Sequence, residues 1–440
     1  MQRSASNDDQ DEPMSLFPAP SDATANALSG SNQVGVREFN ERVLLHAIRV
    51  HGSLPKAELA RLTRLSTQAV SVIIERLLEE GMVQRLAARR GAVGQPSRPI
   101  ALRPDAAYAL GVAIGRRRLD VLLLDFGGAP RWRGGVDYAS PQVEAVFAAI
   151  GAQLARAHAF LGEADARRIA GIGLAAPLSF GGWREQLQMA AQDADAWART
   201  DLRQRLQDMT PLPVTFAKDT AAAGMAELAT GRGRGLRTYL YVFVDTLVGG
   251  SLVIDGQPHG GLHGNAGALA SLPLGLHGAS GGPGLGAGTD GRVGQLLEAA
   301  SLLALEGMLL DAGLAAFDCM DERLPAGPAA EVVRRWIARA ADALAYAACS
   351  AACLLDLEGV VVDGALGRTL LHELLQATQA ALERYGWQGV ARPRLHAGEA
   401  GADAKATGAA WLPLHAHFAP AHGLFLKAAV PGARAVGKNT

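Results

Sequence analysis

The chain has 440 residues, of which 49% are hydrophobic and 19% charged, and its formal net charge is −1. These values are typical of a globular protein with two or three domains and argue against a strongly basic or acidic chain. The charge is nevertheless uneven. Residues 35–104 hold 12 Lys and Arg against 6 Asp and Glu, whereas residues 1–34 hold 1 against 5. Basic charge concentrated in one segment favours contact with nucleic-acid phosphates, although a solvated charged face would give the same count.

The cysteine content and the apolar runs indicate the cellular compartment of the protein. There are three cysteines, an odd number without the spacing of metal ligands: Cys319, Cys349 and Cys353. This pattern favours a reducing cytoplasm over a disulfide framework. The apolar run at residues 343–355 is shorter than the roughly 20 residues of a membrane span. We therefore expect a cytoplasmic protein without a membrane segment.

The N-terminal elements predict a helix-turn-helix. Residues 1–34 are acidic and rich in Ser, Pro and Ala, as in a disordered tail rather than a signal peptide. Residues 39–51 have helical spacing. Lys56–Thr63 then reads as a short helix after Pro55, and Ser66 is a good N-cap for a second helix that Gly81 ends. A helical bundle remains the alternative for this pattern alone.

Side chains that could contact DNA lie around the start of the second predicted helix. Thr67, Gln68 and Ser71 are off its apolar face and can bond base edges in a major groove. Short strands at residues 82–86 and 98–102 would flank a basic loop, as in a winged helix-turn-helix. The full set of predicted DNA-contacting residues is Lys56, Arg61, Arg64, Ser66, Thr67, Gln68, Ser71, Arg89, Arg90 and Gln95.

From Tyr108 onward, strands alternate with helices, which predicts an α/β architecture. One set of strands separated by glycine turns begins at Tyr108, and a similar set begins at Thr238. The chain could therefore contain two related lobes, or two unrelated hairpins.

Several blocks of this α/β region resemble the ROK family, which includes sugar-responsive repressors and sugar kinases. The resemblance covers residues 38–418, and its most specific blocks are Ala217–Gly235 and Asp403–Trp411. It implies an N-terminal winged helix followed by a two-lobed body of the actin/hexokinase type, which is ribonuclease H-like, with a cleft between the lobes. The corresponding domains are an acidic tail (1–34), the winged helix-turn-helix (35–104), a first lobe (105–218), a second lobe with the closing helix (219–422) and a C-terminal tail (423–440).

The catalytic elements that the resemblance implies are degenerate. Ala113 stands where the first phosphate loop of the family has its aspartate. Arg116, Arg117 and Arg118 occupy a turn that needs small residues if the backbone is to approach a phosphate closely. Asp219 matches the general-base aspartate, but it follows Lys218, where the family usually has Asn. We therefore expect no enzymatic activity.

The family's zinc and sugar elements are also altered. Its Glu-x-Gly-His element falls at Ala268–Ser271, so the sugar-binding Glu and the zinc-binding His are absent. The segment that replaces its cysteine-rich zinc loop offers only His277, and structural zinc needs about four ligands. We expect no metal and no cofactor. The residues that could still bind a ligand are Asp219, Glu298, Asn265, His263 and Lys218.

These features predict a sequence-specific DNA-binding regulator that represses carbohydrate-related genes. Its partners would be an inverted-repeat operator in double-stranded DNA, a sugar or sugar-phosphate effector, and further copies of itself in a homodimer or homotetramer. Two alternatives stay open. One is a working ATP-dependent sugar kinase with a DNA-binding appendage, and the other is a regulator whose body only oligomerises and binds no ligand.

Overall fold

The computed structural model describes the following residues: 33–87, 98–178, 180, 184, 189–275, 293–314 and 318–420. They divide into two compact units. The N-terminal unit comprises residues 33–107, 125–127 and 414–420, and the body comprises residues 108–124 and the described part of 128–413. This grouping by contact assigns residues 125–127 and 414–420 to the N-terminal unit. The domain bounds predicted from the sequence remain predictions.

The N-terminal unit is a winged helix-turn-helix. Its elements are α1 (Gln33–His51), β1 (Ser53–Leu54), α2 (Lys56–Thr63), α3 (Thr67–Glu79), β2 (Val83–Arg85) and β3 (Ile100–Leu102). The three strands form one antiparallel sheet in the order β1-β3-β2. The hairpin of β2 and β3 lies where the sequence predicted a pair of strands beside the helices.

Local signals explain where these helices end. Arg64 has a left-handed backbone (φ 57°) and closes α2. The side chain of Ser66 accepts a hydrogen bond of 3.1 Å from the backbone N–H of Ala69, which satisfies one of the free donors of the first turn of α3. Gly81, at φ 70°, follows the end of α3. The predicted turn and cap are therefore confirmed.

The first lobe of the body contains one five-stranded sheet. Its strands are β4 (Tyr108–Ile114), β5 (Arg118–Asp125), β6 (Pro130–Asp137), β7 (Ile169–Ala176) and β8 (Val214–Lys218), in the order β6-β5-β4-β7-β8. The helices of this lobe are α4 (Val143–Ala166), α5 (Ala191–Ala198) and α6 (Leu202–Gln207). The parallel strands β4, β7 and β8 place the ends of β7 and β8 side by side.

The second lobe contains another five-stranded sheet. Its strands are β9 (Tyr239–Val244), β10 (Gly249–Ile254), β11 (Gln257–His259), β12 (Gly359–Gly364) and β13 (Arg394–Ala397), in the order β11-β10-β9-β12-β13. Its helices are α7 (Asp219–Thr230), α8 (Leu296–Ala300), α9 (Leu302–Asp311), α10 (Ala330–Leu355), α11 (Arg368–Leu382) and α12 (Ala404–Phe418).

The two sheets share one strand order. In each sheet, the first three strands lie side by side in sequence order. The remaining two strands extend the sheet from the free side of the first strand, and both pair in parallel. This common topology supports two related lobes over two unrelated hairpins, and it is the arrangement expected of an actin/hexokinase-like body.

Apolar layers cover both faces of the second sheet. On one face, Trp336 of α10 is fully buried and donates a hydrogen bond of 3.1 Å from its Nε1 to the carbonyl oxygen of Ser301. On the other face, Ala223 and Ala226 of α7 and Ala404 of α12 pack on Tyr241. Burial of these layers is the main source of the lobe's stability.

Helix α12 lies directly on the central strands of the first lobe. A Cβ atom at Gly111 of β4 would overlap the carbonyl oxygen of Ala406, and one at Gly173 of β7 would overlap that of Ala409. Only glycine allows this approach of helix and sheet backbones. The closing block of the sequence is therefore fixed against the first lobe as well as the second.

Two helices in the described part of the chain, α4 and α10, are long and apolar enough to cross a membrane by length and composition alone. Half of the most apolar window of α10 is buried within the protein. Because a core helix of a globular protein passes the same test, this finding is weak evidence for a membrane span.

Candidate nucleic-acid interface and effector cavity

Helix α3 has a buried face and an exposed face. Val70, Ile73, Ile74 and Leu77 are buried against the rest of the N-terminal unit. On the exposed side, Ser66, Thr67 and Gln68 are open to solvent, and Ser71 is half-buried. The hydroxyl and amide groups predicted to contact bases are therefore together at the start of one helix. Side chains of this kind can donate to and accept from base edges in a major groove.

Salt bridges within the N-terminal unit neutralise part of its positive charge. Lys56 of α2 and Arg85 of β2 both pair with Glu75 of α3, at 2.6 Å and 2.5 Å. Hydrogen bonds from Lys56 and Arg85 lower the pKa of the Glu75 carboxyl. Arg61 pairs with Glu58 at 2.5 Å. Lys56 and Arg61, both predicted to contact DNA, thus already have acidic partners, and Glu75 holds α2, α3 and β2 together.

Arg64 differs from the other predicted cations. Its side chain is exposed, and within the described residues it forms no ion pair. It lies in the turn directly before Ser66, so its guanidinium is available to a phosphate beside the exposed face of α3. Arg89, Arg90 and Gln95 lie outside the described residues, and their predicted role in a wing stays a prediction.

The exposed face of α3 includes one residue that the sequence analysis did not single out. Val72 is 66% exposed. At 100° per residue it falls next to Gln68 and Glu75, opposite the buried positions. An apolar residue out of phase with the buried stripe is the signal that could have revealed it.

A cavity of about 200 Å³ lies between the two lobes. Pro177, Leu178 and Lys218 contribute from the ends of β7 and β8, and the remaining lining residues come from the second lobe: Asp219, Thr220, Leu247, Val248, Gly249, Asn265, Gly267, Ala268, Leu269, Ala270 and Ser271. Of the predicted ligand-binding residues, the structure brings together Lys218, Asp219 and Asn265. A second cavity of about 360 Å³ in the first lobe shares the wall formed by Pro177 and Leu178.

Two predicted ligand-binding residues lie elsewhere. Glu298 is exposed on α8, and His263 is exposed on the loop after β11. Neither lines the interlobe cavity. Glu298 and His263 could therefore contact only a ligand that extends beyond the cavity. Their role in ligand binding stays a prediction.

A half-buried ion cluster engages the carboxylate that resembles a general base. The Nζ of Lys405 on α12 lies 2.8 Å from an oxygen of Asp219 and 2.7 Å from an oxygen of Asp245, at the end of β9. Burial lowers the pKa of Lys405, but the two carboxylates raise it above its ordinary value. Burial raises the pKa of the Asp245 carboxyl, but Lys405 and the backbone N–H of Thr246 together lower it below its ordinary value. Lys405 and Asp245 therefore stay ionised at neutral pH.

Lys218 directly precedes Asp219 in the chain. Only 7% of it is exposed, and its Nζ donates a hydrogen bond of 3.0 Å to the carbonyl oxygen of Ala266. Burial lowers the pKa of its ammonium to about 8, and the charge of Asp219 opposes this shift. Its positive charge is therefore costly to keep in the fold at neutral pH. A costly buried charge at the wall of a cavity is typical of a residue kept for binding.

The arginine turn after β4 makes contacts with the second lobe. Arg117 pairs with Glu306 of α9 at 3.0 Å, and Arg116 lies 3.7 Å from the same carboxylate. Arg118 instead pairs with Asp120 and Asp137 of its own sheet. Two of the three arginines thus connect the lobes where a kinase of the family would have a small phosphate-binding turn.

Within the described residues, no group of three or more His, Cys, Asp or Glu side chains could hold a metal ion. His277 and the rest of residues 276–292, the segment that replaces the family's zinc loop, lie outside the described residues. The predicted absence of zinc stays a prediction.

Comparison with known proteins identifies the body. The ROK family profile matches residues 109–416, most of the chain. The chain belongs to the ROK family. A MarR family profile matches residues 39–92 of this ROK protein, over α1 to β2 and into the segment that follows. The predicted combination of a winged helix with a ROK body is confirmed.

Relatives of this ROK protein include regulators and kinases. It is 30% identical over 233 residues to the uncharacterized protein y4fQ of Sinorhizobium fredii, covering 52% of this chain and 58% of that one. It is 21% identical over 253 residues to the xylose repressor of Bacillus subtilis, covering 56% and 64%. N-acetylmannosamine kinase of Vibrio cholerae is 26% identical over 166 residues, covering 38% and 55%. In each case the matched region spans less than two thirds of the relative's length.

Solved structures show the same architecture. A ROK family transcriptional regulator, a homologue of the Escherichia coli MLC protein, superimposes with a TM-score of 0.62 at 18% identity, covering 87% of this chain and 98% of that one. A ROK family glucokinase from Streptomyces griseus, in complex with glucose and AMPPNP, gives a TM-score of 0.52 at 21% identity, covering 70% and 99%. At these identities the likeness concerns the fold.

Proposed function

We propose that the protein is a sequence-specific transcriptional regulator whose winged helix binds double-stranded DNA. The observation that carries the proposal is the exposed face of α3. Thr67, Gln68 and Ser71 are presented together, and Arg64, which has no ion pair among the described residues, lies in the turn before them. The MarR family match over the same residues and the regulators among the relatives support this reading.

The protein acts on DNA as a homodimer or homotetramer in the cytoplasm. One α3 helix reads only a few base pairs, too few to specify a site in a genome, so two winged helices related by symmetry are needed. We expect the preferred operator to be an inverted repeat whose half-sites lie one or two helical turns apart. Repression of carbohydrate-related genes agrees with the resemblance to the xylose repressor of Bacillus subtilis.

Selection of bound sequences from random double-stranded DNA tests this function. The full-length protein is expected to enrich an inverted repeat and to protect both half-sites in a footprint. Light scattering should show at least two protein copies on each operator. A monomer that binds a single half-site tightly would contradict the symmetric arrangement, and the absence of any enriched sequence would contradict the function itself.

The ROK body binds a small polar effector and does not phosphorylate it. The ion pair between Lys405 and Asp219 supports this part of the proposal. A general base must be free to bond the attacking hydroxyl, whereas the oxygens of Asp219 already bond the ammonium of Lys405 and the backbone N–H of Thr220. Steady ATP turnover with any hexose would favour the alternative, a working sugar kinase.

The cavity suits a ligand that offers both hydroxyl groups and hydrogen-bond acceptors. Asp219 supplies acceptor oxygens, Asn265 supplies an amide, and Lys218 supplies a buried ammonium. A sugar or a sugar phosphate meets these requirements. Xylose is the first compound to test because of the name of the Bacillus relative.

We expect the effector to raise the melting temperature of the wild type and to change its affinity for the operator. A ligand present at 100 times its Kd stabilises the folded state by about 2.7 kcal/mol. In a thermal-shift screen of pentoses, hexoses and their phosphates, Asn265→Ala should lose most of the shift caused by the active compound, because its amide lines the cavity.

His259→Ala is the matched control. His259 is an exposed residue of β11 that does not line the cavity, so its replacement should leave the shift unchanged. Equal shifts in Asn265→Ala and the wild type would exclude the cavity as the effector site. If no compound shifts the wild type, the body only oligomerises, which is the second alternative.

A further inference from the structure

Val72 has an unusual position on the exposed face of α3. It is 66% exposed and lies one helical turn after Gln68, so both side chains are on the solvent face of α3. The buried residues Val70, Ile73 and Ile74 are on the opposite face. Val72 is therefore the apolar side chain of a surface otherwise formed by hydroxyl, amide and carboxylate groups.

The fold itself gains little from valine at this position. A β-branched residue lowers helix propensity slightly, and an exposed one buries little apolar area. Nearby Glu75 is held by Lys56 and Arg85, so the backbone of α3 around Val72 is anchored to α2 and β2. The two methyl groups of Val72 are consequently presented to solvent from a fixed position.

We propose that Val72 reads the 5-methyl group of a thymine in the major groove of the operator. The inference rests on the proposed DNA-binding function and deepens it. The thymine methyl is the apolar feature of a base edge in the major groove, and side-chain methyl groups contact it favourably. Desolvation of these methyl groups on binding supplies the discrimination.

The spacing on α3 places this contact beside an amide contact. Four residues of helix rise about 6 Å, which is about two base-pair steps of 3.4 Å. Gln68 can bond the N6 and N7 atoms of an adenine, so Val72 would contact a thymine one or two steps away. The operator half-site should therefore contain an adenine and a thymine at this separation.

Replacement of thymine by deoxyuridine tests the proposal, since it removes the methyl group alone. Each thymine of the selected operator is replaced in turn, and affinity is measured for the wild type and for Val72→Ala. We expect one position in each half-site at which deoxyuridine weakens wild-type binding about three- to tenfold, the effect of burying roughly one methyl group. Val72→Ala should bind the parent and the deoxyuridine duplexes equally, with the affinity of the wild type for a duplex that carries deoxyuridine in both half-sites.

Two further variants separate this contact from general effects. Val72→Thr keeps one of the two methyl groups and should retain part of the preference for thymine. Leu62→Ala removes another exposed apolar side chain, on α2, and should retain the full preference.

If the wild type binds every deoxyuridine duplex as well as the parent operator, the thymine contact is wrong while DNA binding stands. A preference for thymine that persists in Val72→Ala would assign the methyl contact to another residue. Failure of the wild type to bind any DNA would overturn the proposed function together with this inference.

Discussion

Replacing Lys405 with methionine is expected to lower the free energy of unfolding of the body by about 3–5 kcal/mol. The change leaves Asp219 and Asp245 without the ammonium that lies within 2.8 Å of both, so two negative charges remain close together in a largely buried site. Urea unfolding of the full-length protein, followed by tryptophan fluorescence, measures the loss. Trp336 and Trp411 report on the body because both are buried there.

Arg237→Met is the matched control for this experiment. Arg237 pairs with Asp255 at 2.8 Å, but both side chains are more than 70% exposed. Such exposed pairs contribute at most about 1 kcal/mol. The triple variant Lys405→Met, Asp219→Asn and Asp245→Asn should recover much of the lost stability, because no uncompensated charge remains. A loss as small as that of the control would show that the cluster is not buried in solution.

Gln68→Ala is expected to weaken binding to the selected operator by about 1–3 kcal/mol while leaving binding to unrelated DNA unchanged. Its amide is exposed on the face of α3 that presents Thr67 and Ser71, and a base-edge contact carries sequence information. Arg64→Gln should instead weaken binding to both DNAs. A plot of the logarithm of the DNA-binding constant against the logarithm of the salt concentration should also become less steep. The slope should change by about 0.9, the value for one lost phosphate contact.

Arg37→Gln is the matched control for Arg64→Gln, because it also removes one positive charge from the N-terminal unit. Arg37 is an exposed residue of α1 that pairs with Glu41 at 3.7 Å, away from the start of α3. It should alter operator affinity much less than Arg64→Gln. Equal affinities of Gln68→Ala, Arg64→Gln and the wild type would mean that α3 is not the recognition helix.

The parts of the fold that depend on local signals were predictable from the sequence. Pro55, Ser66 and Gly81 mark the bounds of α2 and α3, and both helices lie at the predicted residues. The main strands of both sheets were predicted from their apolar runs. The short elements β1, β11, α5, α8 and α9 were missed, because a few residues held by tertiary contacts carry no periodic pattern.

The candidate cavity was only partly predictable, because its chemistry depends on residues far apart in the chain. Lys405 lies 160 residues after Asp245, and no spacing rule connects them. The resemblance to the family identified Asp219, but it also suggested Glu298, which the structure places on the exposed side of α8. Val72 was missed for a different reason. In a helix rich in apolar residues, Val72 was not distinguished from the buried stripe, although it falls out of phase with it.

The position of Lys405 has a consequence for when the regulator can respond. A magnesium ion beside two carboxylates exchanges with the cell, so its occupancy follows free magnesium and the nucleotides that chelate it. An ammonium that is part of the chain has a fixed effective concentration at Asp219 and Asp245. The charge of this cluster, which adjoins the cavity at Asp219, is then the same in a starved cell and in a growing one. An effector bound as proposed would be sensed independently of the energy charge of the cell.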